Sequence, residues 1–243
     1  MPGRARPEEQ AAILERVLAR IRAAAPHGVA VFDLDSTLLD NRPRQARILR
    51  EYGASAGLPA LAGLDPGHWT SWDLAEAMRL AGLPPEEVAR HLLPARRFWA
   101  ERFFTSAYCR DDEPLPGAPE FVRAAAEAGA VLVYLTGRPG RMRAGTLSVF
   151  RRCGLPLPLP EAGRVRLLMK PEAPLDDDEW KALAAGQVSA LGEVVAAFDN
   201  EPAHVNAYAA AWPGALCVHL DTDHSPRPVE VAPRVPSIAD FRR

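Results

Sequence analysis

"VAVFDLDSTLLDN", Val29 to Asn41, is the stretch on which the reading of this chain turns. It opens with four apolar residues in a row, and an apolar run without alternation is what a strand covered on both faces requires. Where the run ends, Asp33 and Asp35 follow, then Ser36 and Thr37. Two positions apart in extended chain, the two carboxylates project the same way and repel unless a cation or a proton lies between them. The plainer alternative is that Asp35, Ser36 and Thr37 cap a turn or a helix start.

Four further runs have strand length: "VLVYLT" from Val131, "VRLLM" from Val165, "VVAAF" from Val194 and "ALCVHL" from Ala215. Helical patterns lie between them, over Pro119 to Ala128, Arg141 to Arg152, Glu179 to Leu191 and Pro202 to Trp212. Strand and helix in alternation predict an α/β, doubly wound (Rossmann-like) parallel sheet of about five strands. The first two runs are too far apart for a simple crossover. Residues 41–116 carry helical patterns of their own, around Arg44 to Tyr52, Ser71 to Leu80 and Glu86 to Thr105, so they are expected to form an inserted helical subdomain. The core is then residues 1–40 and 117–243, opening with an amphipathic helix over 8–24 whose apolar face is Ile13, Leu14, Val17, Leu18 and Ile21. "GLPALAGLDPG" and "DDEPLPGAPE" mark joints, and the proline-rich "SPRPVEVAPRVPSIADF" is expected to close the chain as an extended segment.

Composition narrows the classes of function. The 243 residues are 48% hydrophobic and 25% charged, which suits a globular chain with a sizeable core. A formal charge of -2 offers no excess of positive charge for a phosphate backbone, which argues against nucleic acid as a general partner. Three cysteines without CxxC spacing indicate neither a disulfide framework nor a zinc cluster. Glu8, Glu9 and Glu15 interrupt the apolar core that a signal peptide needs, and no apolar run reaches membrane-spanning length. The expectation is a cytoplasmic protein with no membrane partner.

In an open parallel sheet ligands gather beyond the carboxyl ends of the strands. The other strand ends match the first in character. "YLTGRP" supplies the Thr136 hydroxyl and, at Gly137, a backbone N–H that an anion can approach closely. "AAFDNEP" puts Asp199 and Asn200 at the same edge, and Lys181 stands on the helix before it with a compact positive charge. Two acids, a hydroxyl, a lysine and a further acid in this order suit phosphoryl transfer.

On these residues the chain resembles the haloacid dehalogenase superfamily of phosphatases and phosphotransferases. "DLDST" is similar to the family's DxDx[TV] motif, and Thr136, Lys181 and Asp199 stand where its later motifs fall. Lys170, in "LLMKPE", is a rival for the lysine, and Lys181 is favoured because its helix leads into the fourth strand. The resemblance implies that Asp33 is the nucleophile that becomes an aspartyl phosphate, and that Asp35 is the acid and base, with its pKa raised by its neighbours. Thr136, Gly137 and Lys181 would hold the phosphoryl group. Mg²⁺ would be held by the Asp33 and Asp199 carboxylates and the Asp35 backbone carbonyl. The insertion would be a cap over the site, with one or two of its aromatic residues (Trp69, Trp72, Phe98, Trp99, Phe103 and Phe104) facing substrate.

The function so implied is a Mg²⁺-dependent phosphatase acting on a small-molecule phosphomonoester. A phosphotransferase or mutase is the alternative, and a non-catalytic binding protein ranks last. Where many family members carry a second acid after the fourth motif, this chain has Asn200 and Glu201. These either orient a water and serve as that acid or simply start the next helix at Pro202. Arg138 reads as a solvated turn arginine, and "HLDTDH" near His219 as a polar turn rather than a metal site.

Overall fold

The computed structural model describes residues 5–158, 163–172 and 175–243. Strand β1 (Gly28–Phe32) is buried at every position. Ala30 and Phe32 enter one apolar cluster, together with Ile13, Leu14 and Val17 of α1 (Pro7–Ala24) and Phe121 of α5 (Ala118–Glu127). Val29 and Val31 enter a second cluster on the opposite face, with Trp180 and Val188 of α7 (Asp177–Ser189) and Val205 and Tyr208 of α8 (Pro202–Ala211). Helices on both faces are why the strand sequences show no polar alternation.

The other strands of this sheet are β4 (Val131–Pro139), β5 (Val165–Lys170), β6 (Glu193–Asp199), β7 (Leu216–Leu220) and β8 (Ser237–Ile238). Their order is β5-β4-β1-β6-β7-β8, and every neighbouring pair is parallel. The sheet thus has six strands where about five are expected, because the proline-rich closing segment adds the two-residue β8 beside β7. From β5 at one edge the chain crosses to β6 on the far side of β1. The carboxyl ends of β4, β1 and β6 therefore lie side by side at a change of strand order, where a crevice opens.

Beyond β1 the chain turns, pairs as β2 (Leu39–Asp40) with β3 (Glu113–Pro114), and between these two strands runs through α2 (Arg42–Ala56), α3 (Leu74–Leu80) and α4 (Pro85–Phe103). This helical insert buries its own core, which includes Leu49, Leu61, Trp69 and Met78. Helix α3 starts at Leu74 rather than at Ser71 because Asp73 accepts from the Ala75 N–H at 2.9 Å and so caps it. Helix α6 (Arg143–Cys153) follows β4. Among the described residues no helix is long and apolar enough to cross a membrane.

Where the insert rejoins the core, Gly117 has φ +76, and a Cβ there would lie 2.5 Å from the Phe241 carbonyl group. Both the backbone conformation and the close approach of the closing segment require glycine. Gly117→Ala is expected to destabilise the fold by about 2 kcal/mol, read as a lower denaturant midpoint; an unchanged midpoint would contradict this packing.

Candidate active site

Asp33 prolongs β1, its N–H donating to the Phe198 carbonyl of β6 at 3.0 Å. The chain then turns sharply: Ser36 holds φ 58, a left-handed conformation that few residues other than glycine adopt. That turn is tied to its neighbours. Ser36 Oγ donates to Asp223 Oδ2 at 2.9 Å, Thr37 Oγ1 donates to Asn200 Oδ1 at 3.1 Å, and the Asn200 N–H donates to Thr37 Oγ1 at 3.0 Å. Ser36 and Thr37 thus join the ends of β1 and β6.

At the centre stands Lys181. Its Nζ donates to Asp33 Oδ1 at 2.9 Å and to Asp199 Oδ2 at 2.7 Å, and its third proton faces His204 Nδ1 at 3.1 Å. His204 Nε2 in turn lies 2.7 Å from Asp178 Oδ1, so Nε2–H donating there leaves Nδ1 free to accept from the ammonium. All of the ammonium's protons are satisfied in a buried place. Burial works against the Lys181 charge, yet Asp199 and Asp33 raise its pKa well above that of free lysine. Burial first, then the nearby Asp199 and Asp35 carboxylates, push Asp33 up to about 7 against the pull of Lys181. For Asp199 burial is outweighed by Lys181 first, which holds it below the usual carboxylate range.

Asp35 faces the same cavity but belongs to a different network. Arg138 grips it with two bonds, Nε to Oδ2 and Nη2 to Oδ1, both at 2.7 Å, and Arg44 of α2 adds a third to Oδ1 at 2.6 Å. Asn41 Nδ2 also donates to Oδ1 at 3.2 Å. Behind them the buried Asp112 takes Arg138 Nη2 at 2.7 Å and has Arg44 Nε 3.0 Å away. Burial opposes the Asp35 charge, but Arg138 and Arg44 override it and hold the carboxyl below its ordinary range. This corrects the expectation of a raised pKa. It also corrects the reading of Arg138, which is 1% exposed and not a solvated turn residue. A bidentate guanidinium pairing of this kind outweighs the desolvation that a carboxyl just past a strand end would otherwise feel.

Thr136 lies in β4, its Oγ1 accepting from the Arg138 N–H at 3.1 Å and its carbonyl accepting from Trp180 Nε1–H at 2.9 Å, and its hydroxyl proton has no acceptor among the described residues. Gly137 lies beside it, and a Cβ there would meet the Asp177 carboxylate at 2.5 Å. Lys170, the rival lysine, pairs with Asp177 at 2.5 Å and makes no bond to Asp33. Asp33, Asp35, Thr136, Gly137 and Lys181 all line one cavity of about 370 Å³. Asp199 lies buried behind Lys181. The insert contributes Trp72, Phe103 and Phe104 to the lining, whereas Trp69 is packed in the insert's own core.

Asn200 and Glu201 are occupied by the 222–227 loop. Asn200 Nδ2 donates to the Asp223 carbonyl at 2.8 Å, and Glu201 accepts from Ser225 N and Oγ, each at 2.7 Å. Glu201 also precedes α8, which begins at Pro202. His219 lies within β7, with Nε2 3.0 Å from the Asn200 carbonyl oxygen. His204, Arg44 and Asp112 escaped the sequence reading. For His204 the available signal is its place one turn into the helix that follows Asp199.

The chemistry of the donors bears on a metal. Asp33 and Asp199 are hard oxygen ligands, and the Asp33 pKa is raised to about 7 by burial first and by the neighbouring carboxylates second. One Asp33 oxygen bonds Lys181, and the other has no protein donor among the described residues. Both Asp199 oxygens take donors, Oδ2 from Lys181 and Oδ1 from the Glu201 N–H at 2.9 Å. Among the described residues no three His, Cys, Asp or Glu side chains form a metal cluster by themselves. The set fits a hard divalent ion completed by a backbone carbonyl, water and substrate oxygens.

Solved structures share this fold, among them the following three. A candidate phosphatase from Clostridium difficile is 12% identical, with 87% of this chain and 94% of that one covered and a TM-score of 0.51. A candidate phosphoglycolate phosphatase from Haemophilus somnus 129PT is 16% identical, covering 88% and 94%, with a TM-score of 0.52. Protein tyrosine kinase A (PtkA) of Mycobacterium tuberculosis is 16% identical over the same shares, with a TM-score of 0.55. No protein-family model matches the chain, and no curated protein does.

The raised pKa of Asp33 has a measurable consequence for the metal-free protein. A carboxyl that titrates near 3.8 when free and near 7 when folded favours the fold while protonated, and that contribution is lost as pH rises through 7. Asp35 and Asp199, both held low, act in the opposite sense and weaken the fold only on acidification below their ordinary range. In EDTA, Asp33→Asn is therefore expected to melt several degrees above the parent at pH 8, with the gap closing towards pH 4. Equal melting temperatures at pH 8 would contradict the crowding of charge at Asp33.

Proposed function

We propose that this protein is a Mg²⁺-dependent phosphatase of the haloacid dehalogenase type that hydrolyses a small-molecule phosphomonoester through an aspartyl phosphate on Asp33. The observation that carries the reading is Lys181 bonded at once to Asp33 and Asp199, at the edge of a cavity that Thr136 and Gly137 also line. The solved structures of the same fold that are candidate phosphatases support it.

On this reading the unbonded oxygen of Asp33 attacks phosphorus in line, and the ester oxygen leaves on the opposite side, away from the sheet. Thr136 donates its free hydroxyl proton, and Gly137 its N–H, to the phosphoryl oxygens, while Lys181 offsets charge as it spreads. Asp33, Asp199 and the Asp35 carbonyl would hold Mg²⁺, which when bound neutralises phosphoryl oxygens that this carboxylate-rich site would otherwise repel. Asp35 draws the proton from the water that cleaves the intermediate, and its arginine partners keep it the carboxylate that this half of the reaction needs. Its service as the acid in the first half requires the hold of both Arg138 and Arg44 on its carboxylate to relax, and Arg44 belongs to α2 of the insert. The helical insert would then be a cap whose position decides the state of Asp35.

With Mg²⁺ and a panel of phosphomonoesters, the protein is expected to release inorganic phosphate without an added acceptor. Asp33→Asn should lower kcat by at least about a thousandfold, and excess EDTA should abolish turnover. Turnover that depends on an acceptor alcohol would favour a phosphotransferase; equal rates in parent and variant would defeat the covalent mechanism.

A further inference from the structure

Charge around the cavity is unevenly distributed. Six carboxylates line it, those of Asp33, Asp35, Asp176, Asp177, Asp178 and Glu201, against the three cations Arg138, Lys181 and Arg227 and the imidazole of His204, which itself lies between Asp178 and Asp199. Each of those cations is already shared between two carboxylates. Lys181 lies between Asp33 and Asp199, Arg138 between Asp35 and Asp112, and Arg227 between Asp178 at 2.7 Å and Glu201 at 3.5 Å. Among the described residues of the lining, no cation is left for a second anionic group on a substrate.

The side of the cavity that receives the departing alcohol is also distinctive. In-line attack from Asp33 sends the ester oxygen outward from the sheet, towards the insert. There the insert offers Trp72, Phe103 and Phe104 and no charged side chain. Phe103 is packed between the Arg44 guanidinium, 3.8 Å above its ring, and Trp99, stacked at 4.4 Å, so Trp72 and Phe104 are the rings left to meet a ligand. The acids that open α7, Asp176, Asp177 and Asp178, line the same cavity. Asp177 and Asp178 have cationic partners, whereas among the described residues the Asp176 carboxylate accepts from the Glu179 N–H and has no cation beside it. Acids at a helix start are stabilising there in any protein. What gives these meaning is that they share with aromatic rings a cavity without a spare cation.

We infer that the alcohol released at this site carries a positive charge, as in an aminoalkyl or quaternary-ammonium alkyl phosphate, held in the cavity that Trp72, Phe104 and the Asp176 carboxylate together line. Aromatic faces and carboxylates together are the surroundings an alkylammonium group prefers. A cavity of about 370 Å³ accommodates a phosphoryl group with a short chain of this kind. The reaction is balanced by water alone: the bond between phosphorus and the ester oxygen breaks, water supplies the oxygen that replaces it and the proton that the alcohol keeps, and nothing is oxidised or reduced. The inference rests on the phosphatase reading of the same site.

The experiment compares kcat/KM of the full-length protein with Mg²⁺ for choline phosphate, ethanolamine phosphate, glycerol phosphate and phosphoglycolate. The cationic pair is expected to exceed glycerol phosphate by at least about tenfold and phosphoglycolate by more, with the preference shrinking as salt is raised. Asp176→Asn keeps the helix cap, since asparagine caps as well as aspartate, and removes only the charge; it should narrow the ratio of choline phosphate to glycerol phosphate by about threefold or more. Equal rates across the panel, a preference for phosphoglycolate, or a ratio indifferent to Asp176→Asn would overturn the inference while leaving the phosphatase reading intact. Absence of phosphate release from every member, with none of them binding Asp33→Asn by calorimetry, would remove the phosphatase reading and this inference with it.

Discussion

An ammonium group held between carboxylates from two strands is the constraint from which the site follows. Asp33 and Asp199 end the adjacent strands β1 and β6, and two buried carboxylates so close are mutually destabilising unless a cation joins them. Lys181 reaches them from α7, which packs on the same face of the sheet through Trp180 and Val188. Removing the lysine from such a buried cluster, which leaves two carboxylates uncompensated, typically costs about 3–5 kcal/mol, whereas the net contribution of an intact buried pair to stability is small. The cluster therefore makes sense as a device that concentrates charge where a phosphoryl group is to be received, with the fold meeting the energetic cost elsewhere.

A second charge network does a different task. Asp35, Arg138, Arg44 and Asp112 come respectively from the turn after β1, the end of β4, the first helix of the insert and the segment returning from it. The insert is therefore tied to the core by ion pairs at the very residue that faces the cavity opposite Asp33. A change in the position of α2 alters the partners of Asp35 directly, with no intervening relay.

Much of this was legible in the chain because the relevant signals are local. The unbroken apolar runs gave parallel strands, and their ends gave Asp33, Thr136, Gly137 and Asp199, because strand ends converge wherever a sheet is parallel. Lys181 was legible from its place on the helix leading into β6. What escaped depends on tertiary partners that no spacing announces. Arg138 looks like any arginine in a glycine-proline turn until Asp35 and Asp112 are seen around it, and the pKa of Asp35 was misjudged for the same reason. His204 is a lone histidine on an alanine-rich helix, and only the fold turns it towards Lys181. The sixth strand is two residues long and too short to carry a pattern.

The central claim is that the Asp33 carboxylate, positioned by Lys181, accepts a phosphoryl group. Acid-quenched samples taken during turnover, digested and examined by mass spectrometry, test it most directly. The account predicts the added mass of one phosphoryl group on the peptide containing Asp33, removable by hydroxylamine as an acyl phosphate is. A phosphoryl group found instead on His204, or no covalent adduct under conditions of rapid turnover, would contradict it.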